Sequence, residues 1–170
     1  MASKKSRPLV AATIASLRAL STELDRLDDV AARRYGLNRT DMRALDIIGR
    51  LGPLAPTDLA RLLGFTTGGT TTVVDRLEDA GFVHRRPDPS DRRRLLVEIT
   101  DATRQRDDAV FGGLLRATRE AVESYTDDQL RVIQSFLDRS RELTSIYAQT
   151  LANGPDAVHP DPPKSPRRTR

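Results

Sequence analysis

The sequence predicts a mainly α-helical fold with one small β-hairpin, and three observations predict it. Apolar residues recur every three or four positions along most of the chain, the pattern of amphipathic helices. The period becomes strand-like only at Phe82-Val83 and from Leu95 to Ile99, on either side of the turn-rich run Pro87-Asp88-Pro89-Ser90-Asp91. Gly36, Gly52, Gly64 and Gly81 close successive helical runs. At 170 residues the chain is one domain, or one with a dimerisation appendage, and is long enough to bury a core.

The first helix starts at Pro8 and carries Val10, Ile14, Leu17, Leu20, Leu24, Leu27 and Val30 on one stripe. Its acidic cluster, Glu23, Asp25, Asp28 and Asp29, is interleaved with arginines and reads as a solvated face. Asn38 caps a second helix, with Asp41 at its third position and Met42, Leu45, Ile48 and Leu51 facing inward. A third, short helix runs from Pro56 to Leu63 with Leu59, Leu62 and Leu63 apolar. Ala55 stands where a capping Ser or Thr is preferred, a departure that costs about 1 kcal/mol. Thr66 caps a fourth helix, expected from about Thr67 to Ala80, with Thr70, Val73, Val74 and Leu77 on its inner face. Two short helices joined at a glycine form a helix-turn-helix.

The hairpin that follows carries Arg85, Arg86, Arg92, Arg93 and Arg94, with Asp88 and Asp91 the carboxylates expected to oppose them. Such a loop projects a positive field suited to a phosphate backbone or a narrow minor groove. Thr100 then caps a helix through Ala102, Val110, Leu114, Leu115 and Val122, ending near Tyr125. Thr126 with Gln129 forms a capping box for the last one, whose apolar side is Leu130, Ile133, Leu137, Leu143, Ile146, Tyr147 and Leu151. From Asn153 the chain is proline-rich and basic, with little to bury, and is expected to be disordered. The expected organisation is an N-terminal dimerisation helix over 1–37 and a winged helix-turn-helix over 38–100. C-terminal dimerisation helices over 101–152 and a basic tail over 153–170 complete it.

Asp91, Arg93, Val97, Ile99 and Thr100 match the wing signature of the MarR family of transcriptional regulators, and Asp75, Arg76, Leu77, Glu78 and Gly81 match the ending of its recognition helix. The likeness extends from about Leu9 to Leu151, so the chain resembles a winged helix-turn-helix regulator of that family over most of its length. The resemblance implies a recognition helix in the major groove, its first turn nearest the bases. Thr67, Gly68, Gly69, Thr71 and Thr72 then face DNA, and Arg76 meets phosphate or a guanine edge. The paired glycines read equally well as an ordinary loop-to-helix junction. In the wing, Asp91 is expected to pair with Arg93 while Arg92 or Arg94 enters the minor groove, with Arg85 and Arg86 adding to the basic surface. The family's terminal helices intertwine with those of a second copy, a role that fits Val10, Ile14, Leu17, Leu130, Ile133, Leu137 and Ile146. A homodimer implies a pseudo-palindromic operator in double-stranded DNA, with half-site centres about 10 base pairs or a small multiple apart. Repression by promoter occlusion is the family's default, and many members release DNA on binding a small aromatic or phenolic effector.

Composition sets independent bounds. The net charge is +4 with 31% charged residues, which favours an acidic partner. There is no cysteine, which removes disulfides, thiol-based sensing and cysteine-ligated metals; His84 and His159 are the only histidines, too few for a histidine-rich metal site. No cofactor is expected. No nucleophile–base pair, phosphate loop or metal cluster is visible, so an enzyme is not expected. No apolar run reaches the length of a membrane span, and the basic N-terminal arm lacks the apolar segment of a secretion signal, so a cytoplasmic protein is expected. Two rival readings remain: an architectural DNA binder indifferent to sequence, and a winged-helix module that docks on protein.

Overall fold

The computed structural model describes residues 7–152. The expectations for the basic N-terminal arm and for the tail from Asn153 fall largely or wholly outside them. Six helices and one hairpin follow in order: α1 (Arg7–Tyr35), α2 (Arg39–Leu51), α3 (Pro56–Leu63), α4 (Thr67–Asp79), β1 (Val83–Pro87), β2 (Leu95–Ile99), α5 (Asp101–Glu123) and α6 (Asp127–Ala152). The fold is the predicted one, mainly helical with a two-stranded antiparallel wing. The chain divides into two compact units, one through Val110 and one from Phe111, and the division falls inside α5.

The core of the first unit is built from α2, α3, α4 and the hairpin, with Leu45, Ile48, Leu59, Leu63, Val73, Val74, Leu77, Val83 and Val97 all buried. Local chemistry sets the helix ends. The Asn38 side chain accepts the Asp41 amide at 2.8 Å, and Thr66 Oγ1 accepts the Gly69 amide at 3.2 Å, each satisfying a donor of a first turn. Ala55 makes no side-chain cap on α3, as expected from its lack of an acceptor. Ala55→Ser is therefore expected to raise stability by about 0.5–1 kcal/mol, read as an increase in Tm. All four residues expected on the inner face of α4 are buried. Leu51, expected to face inward, differs: it is the last residue of α2 and is 55% exposed, and Leu62 of α3 is 42% exposed.

Gly64 adopts φ 72°, the left-handed conformation that ends α3 and turns the chain toward α4, which starts at Thr67, and Phe65 N–H donates to Ala60 O at 3.0 Å across the turn. The hairpin register runs from Val83 opposite Ile99 to Pro87 opposite Leu95. Leu54 adds a third strand position, exchanging both backbone hydrogen bonds with Val97 at 3.0 and 2.8 Å. The wing is thus stitched to the segment before α3, a pairing the sequence did not signal.

The root of the wing is fixed by two threonines. Thr100 Oγ1 donates to Gly81 O at 3.0 Å and accepts the Thr103 amide, while the buried Thr103 hydroxyl donates to Phe82 O at 2.9 Å. The end of α1 is held at the same place. The Tyr35 ring stacks on Phe82 with centroids 5.8 Å apart, and its hydroxyl donates to Asp107 at 2.5 Å. Arg106 lies 4.4 Å above the Tyr35 ring and donates to Arg34 O at 2.8 Å. Burial and the Asp107 carboxylate together keep the Tyr35 hydroxyl protonated well above its ordinary range.

In the second unit the Thr126–Gln129 capping box forms, with Thr126 N–H donating to Gln129 Oε1 at 2.8 Å. No residue of α6 is buried. Leu114, Leu115, Ile133, Leu137 and Tyr147 are exposed, as are Val10 and Ile14 on α1. Leu17, Leu130 and Ile146 are half-buried.

Candidate nucleic-acid interface

With Thr70, Val73, Val74 and Leu77 turned into the core, the helical period leaves Thr67, Gly68, Gly69, Thr71, Thr72, Asp75 and Arg76 on the outer face of α4. The six residues expected at a DNA surface on this helix therefore share one exposed face. Thr71 and Thr72 donate their hydroxyl protons back to the carbonyls of Thr67 and Gly68, at 3.0 and 3.3 Å. What they offer outward is a methyl group and an acceptor oxygen. A Cβ on Gly68 would meet nothing within 4 Å, and one on Gly69 would touch the capping oxygen of Thr66 at 3.4 Å.

Arg76 has a partner inside the protein. Its Nε and Nη2 grip the two carboxylate oxygens of Asp41 at 2.9 and 2.5 Å, and Asp41 is 3% exposed. The Asn38 amide completes the site at 2.7 Å. This bidentate pair joins the start of α2 to the outer face of α4 and holds the Arg76 pKa above its ordinary value. The expected contact to phosphate or guanine thus competes with a brace that no local sequence pattern signalled.

The five hairpin arginines fall into two groups. Arg85 turns inward onto α4, where Nη2 lies 2.5 Å from Asp75 Oδ1, Nη1 pairs with Glu78, and its backbone amide donates to Glu78 Oε1 at 3.0 Å. Burial works against its charge, but the two carboxylates outweigh that and raise its pKa. Arg86 Nε lies 2.9 Å from Glu98, which also accepts from His84 Nε2 at 2.9 Å. These contacts correct the expected charge balance: Asp75, Glu78 and Glu98 neutralise the strand arginines, so the positive field comes from the tip.

At the tip, Asp88 accepts both the amide and the hydroxyl of Ser90, at 2.8 and 2.7 Å, and these bonds hold its carboxyl below the usual range. Asp91 accepts the Arg93 backbone amide at 3.0 Å. The expected Asp91–Arg93 contact therefore exists through the main chain, and it leaves the Arg93 guanidinium outside the turn. Among the described residues no carboxylate pairs with Arg92 or Arg93, both exposed, and Arg94 approaches Asp58 only at 4.0 Å.

Glu98 is held below the usual carboxylate range, first by its hydrogen bond to Arg86. A depressed folded-state pKa contributes stability above the unfolded value and loses it as pH falls through the folded one. The acid limb of a stability–pH curve should therefore become shallower in Glu98→Gln, as measured by urea denaturation at a series of acidic pH values.

A sequence model of the MarR family matches residues 37–95, which span α2 to the start of β2. The HTH-type transcriptional regulator YcgE of Bacillus subtilis is 33% identical over 152 residues, covering 89% of this chain and 99% of the relative. The chain belongs to the MarR family. Among solved structures, a MarR family protein from Bacillus stearothermophilus superposes with a TM-score of 0.57 at 20% identity, over 84% of this chain and 99% of that one. FabT of Streptococcus pneumoniae, solved in complex with DNA, gives a TM-score of 0.57 at 16% identity, over 82% and 98%. Both share the fold described above. This MarR-family chain is accordingly a transcriptional regulator of the winged helix-turn-helix type. Among the described residues no helix is long and apolar enough to cross a membrane.

Proposed function

We propose that the protein is a dimeric, sequence-specific DNA-binding regulator that acts as a repressor on a pseudo-palindromic operator. The reading rests most heavily on the hairpin tip, where, among the described residues, Arg92 and Arg93 have no internal carboxylate partner beside a helix whose outer face is solvent-exposed. In it α4 lies in the major groove, the tip arginines meet phosphate or the minor groove, and Arg85, Arg86 and Arg76 hold the reading elements in place.

Dimerisation is supported by the apolar stripes of α1 and α6, because large exposed residues aligned on long helices are costly in water. Occlusion of a promoter by the bound dimer is the simplest route to repression. Release by a small aromatic or phenolic molecule belongs to the same proposal on family membership, and such a molecule would act only through its difference in affinity between two spacings of the recognition helices.

Selection from a randomised duplex pool at near-physiological salt tests the reading. Enrichment of a two-fold symmetric site is the expected result. Retention without enrichment would replace it with an architectural binder, and no retention at low salt with a protein-docking module. Gly68→Ala gives a second check with two opposite signs. It should stabilise the free protein by about 0.5–1 kcal/mol, because the position is helical and open. The same methyl should weaken operator binding if the backbone approaches DNA there, whereas unchanged affinity would assign the glycine pair to the loop-to-helix junction alone.

A further inference from the structure

The outer face of α4 is unusual in its charge. Its only cation in sequence is Arg76, whose Nε–Nη2 edge is occupied by the two carboxylate oxygens of Asp41. Asp75, on the same face, is drawn toward the hairpin by Arg85, and Asp79 lies exposed at the C-terminal end of the helix. Arg61, on the preceding helix, pairs with Asp58 at 2.9 Å. The neutral groups that remain, Thr71 and Thr72, have spent their hydroxyl protons on the helix carbonyls. They present methyl groups and acceptor oxygens, which match the 5-methyl of thymine and the N6 amino group of adenine.

From this arrangement we infer that Thr71 and Thr72 read thymine–adenine pairs in the major groove through their methyl groups. The inference rests on the DNA-binding function proposed above and narrows its substrate to half-sites whose α4-facing positions carry thymine methyls. Methyl packing by these two residues then adds discrimination to the affinity contributed by the wing.

A base analogue tests it on the selected duplex with the full-length protein. Deoxyuridine in place of thymine removes the 5-methyl and leaves pairing intact. Affinity is expected to fall about 4-fold for each thymine methyl removed beneath Thr71 or Thr72, on the transfer value of a buried methyl. Thr71→Ser and Thr72→Ser, exposed substitutions that retain the hydroxyls, should abolish the response to deoxyuridine. Indifference to deoxyuridine at every thymine overturns the inference and removes the two threonine methyls from sequence readout. Failure to retain any duplex would instead remove the DNA-binding function on which the inference stands, so the two failures are distinct.

Discussion

Asp41→Ala is expected to lower the stability of the winged domain by about 2 kcal/mol, combining the loss of an acidic group in the first turn of α2 and of a charge-assisted pair. The partner variant should behave differently. Arg76→Ala strands a buried carboxylate with only the Asn38 amide to satisfy it, whereas Asp41→Ala leaves a half-exposed guanidinium that can turn into water. Arg76→Ala should therefore be the more damaging single change, and the double variant should be less damaging than the two effects added together. Urea unfolding of the four proteins closes the cycle. If Arg76 instead serves DNA and contributes nothing to the fold, its removal will leave the unfolding midpoint unchanged and depress only operator affinity. Within hydrogen-bond reach of each other, 35 residues apart, the two side chains are the test of which role dominates.

The second large effect concerns the wing. Replacing Arg92 and Arg93 together with alanine should weaken operator binding on the order of 100-fold at moderate salt, taking about 1.5 kcal/mol for each charge-assisted contact. It should reduce the slope of log K against log salt by roughly 2, and leave thermal stability unaltered, because both side chains are exposed and neither is paired with a carboxylate among the described residues. Arg85→Ala should show the converse: a lower Tm, since Asp75 and Glu78 lose their shared partner, with little change in the salt slope. Fluorescence anisotropy across a salt series, paired with thermal melts, separates the groups. A salt slope identical to that of the parent protein in the Arg92/Arg93 variant would exclude the tip from phosphate or minor-groove contact.

What the sequence made legible was whatever is decided within a turn or two of chain. The caps at Asn38, Thr66, Thr100 and Thr126, the buried face of α4, and the hairpin between Phe82 and Ile99 all follow from residue type at short spacing, and all are present. The departures are non-local. Leu54 pairs with Val97 although it stands alone between Pro53 and Pro56, too short a stretch to show any period. Charges were legible as a total but not as partners. Glu78 and Asp75 lie 7 and 10 residues before Arg85, across a helix end and a turn, and only the tertiary fold brings them onto the strand. For the candidate interface this distinction matters most, because identical arginines became braces or free cations according to contacts that no local pattern records.

The joint at Phe82 has a mechanical consequence. Tyr35 closes α1, Arg106 and Asp107 belong to the first turns of α5, and Phe82 opens the wing, yet all four side chains share one stack of rings and charges. The two helices that enter and leave the DNA-reading unit are thereby pinned at a single fulcrum, and a torque on either is delivered to the hairpin at its root rather than at its tip. Loosening that fulcrum should let the segment ends open together, so the backbone amides of Tyr35, Phe82 and Thr103 should exchange with deuterium at matched rates and accelerate in concert when Asp107 is replaced by alanine.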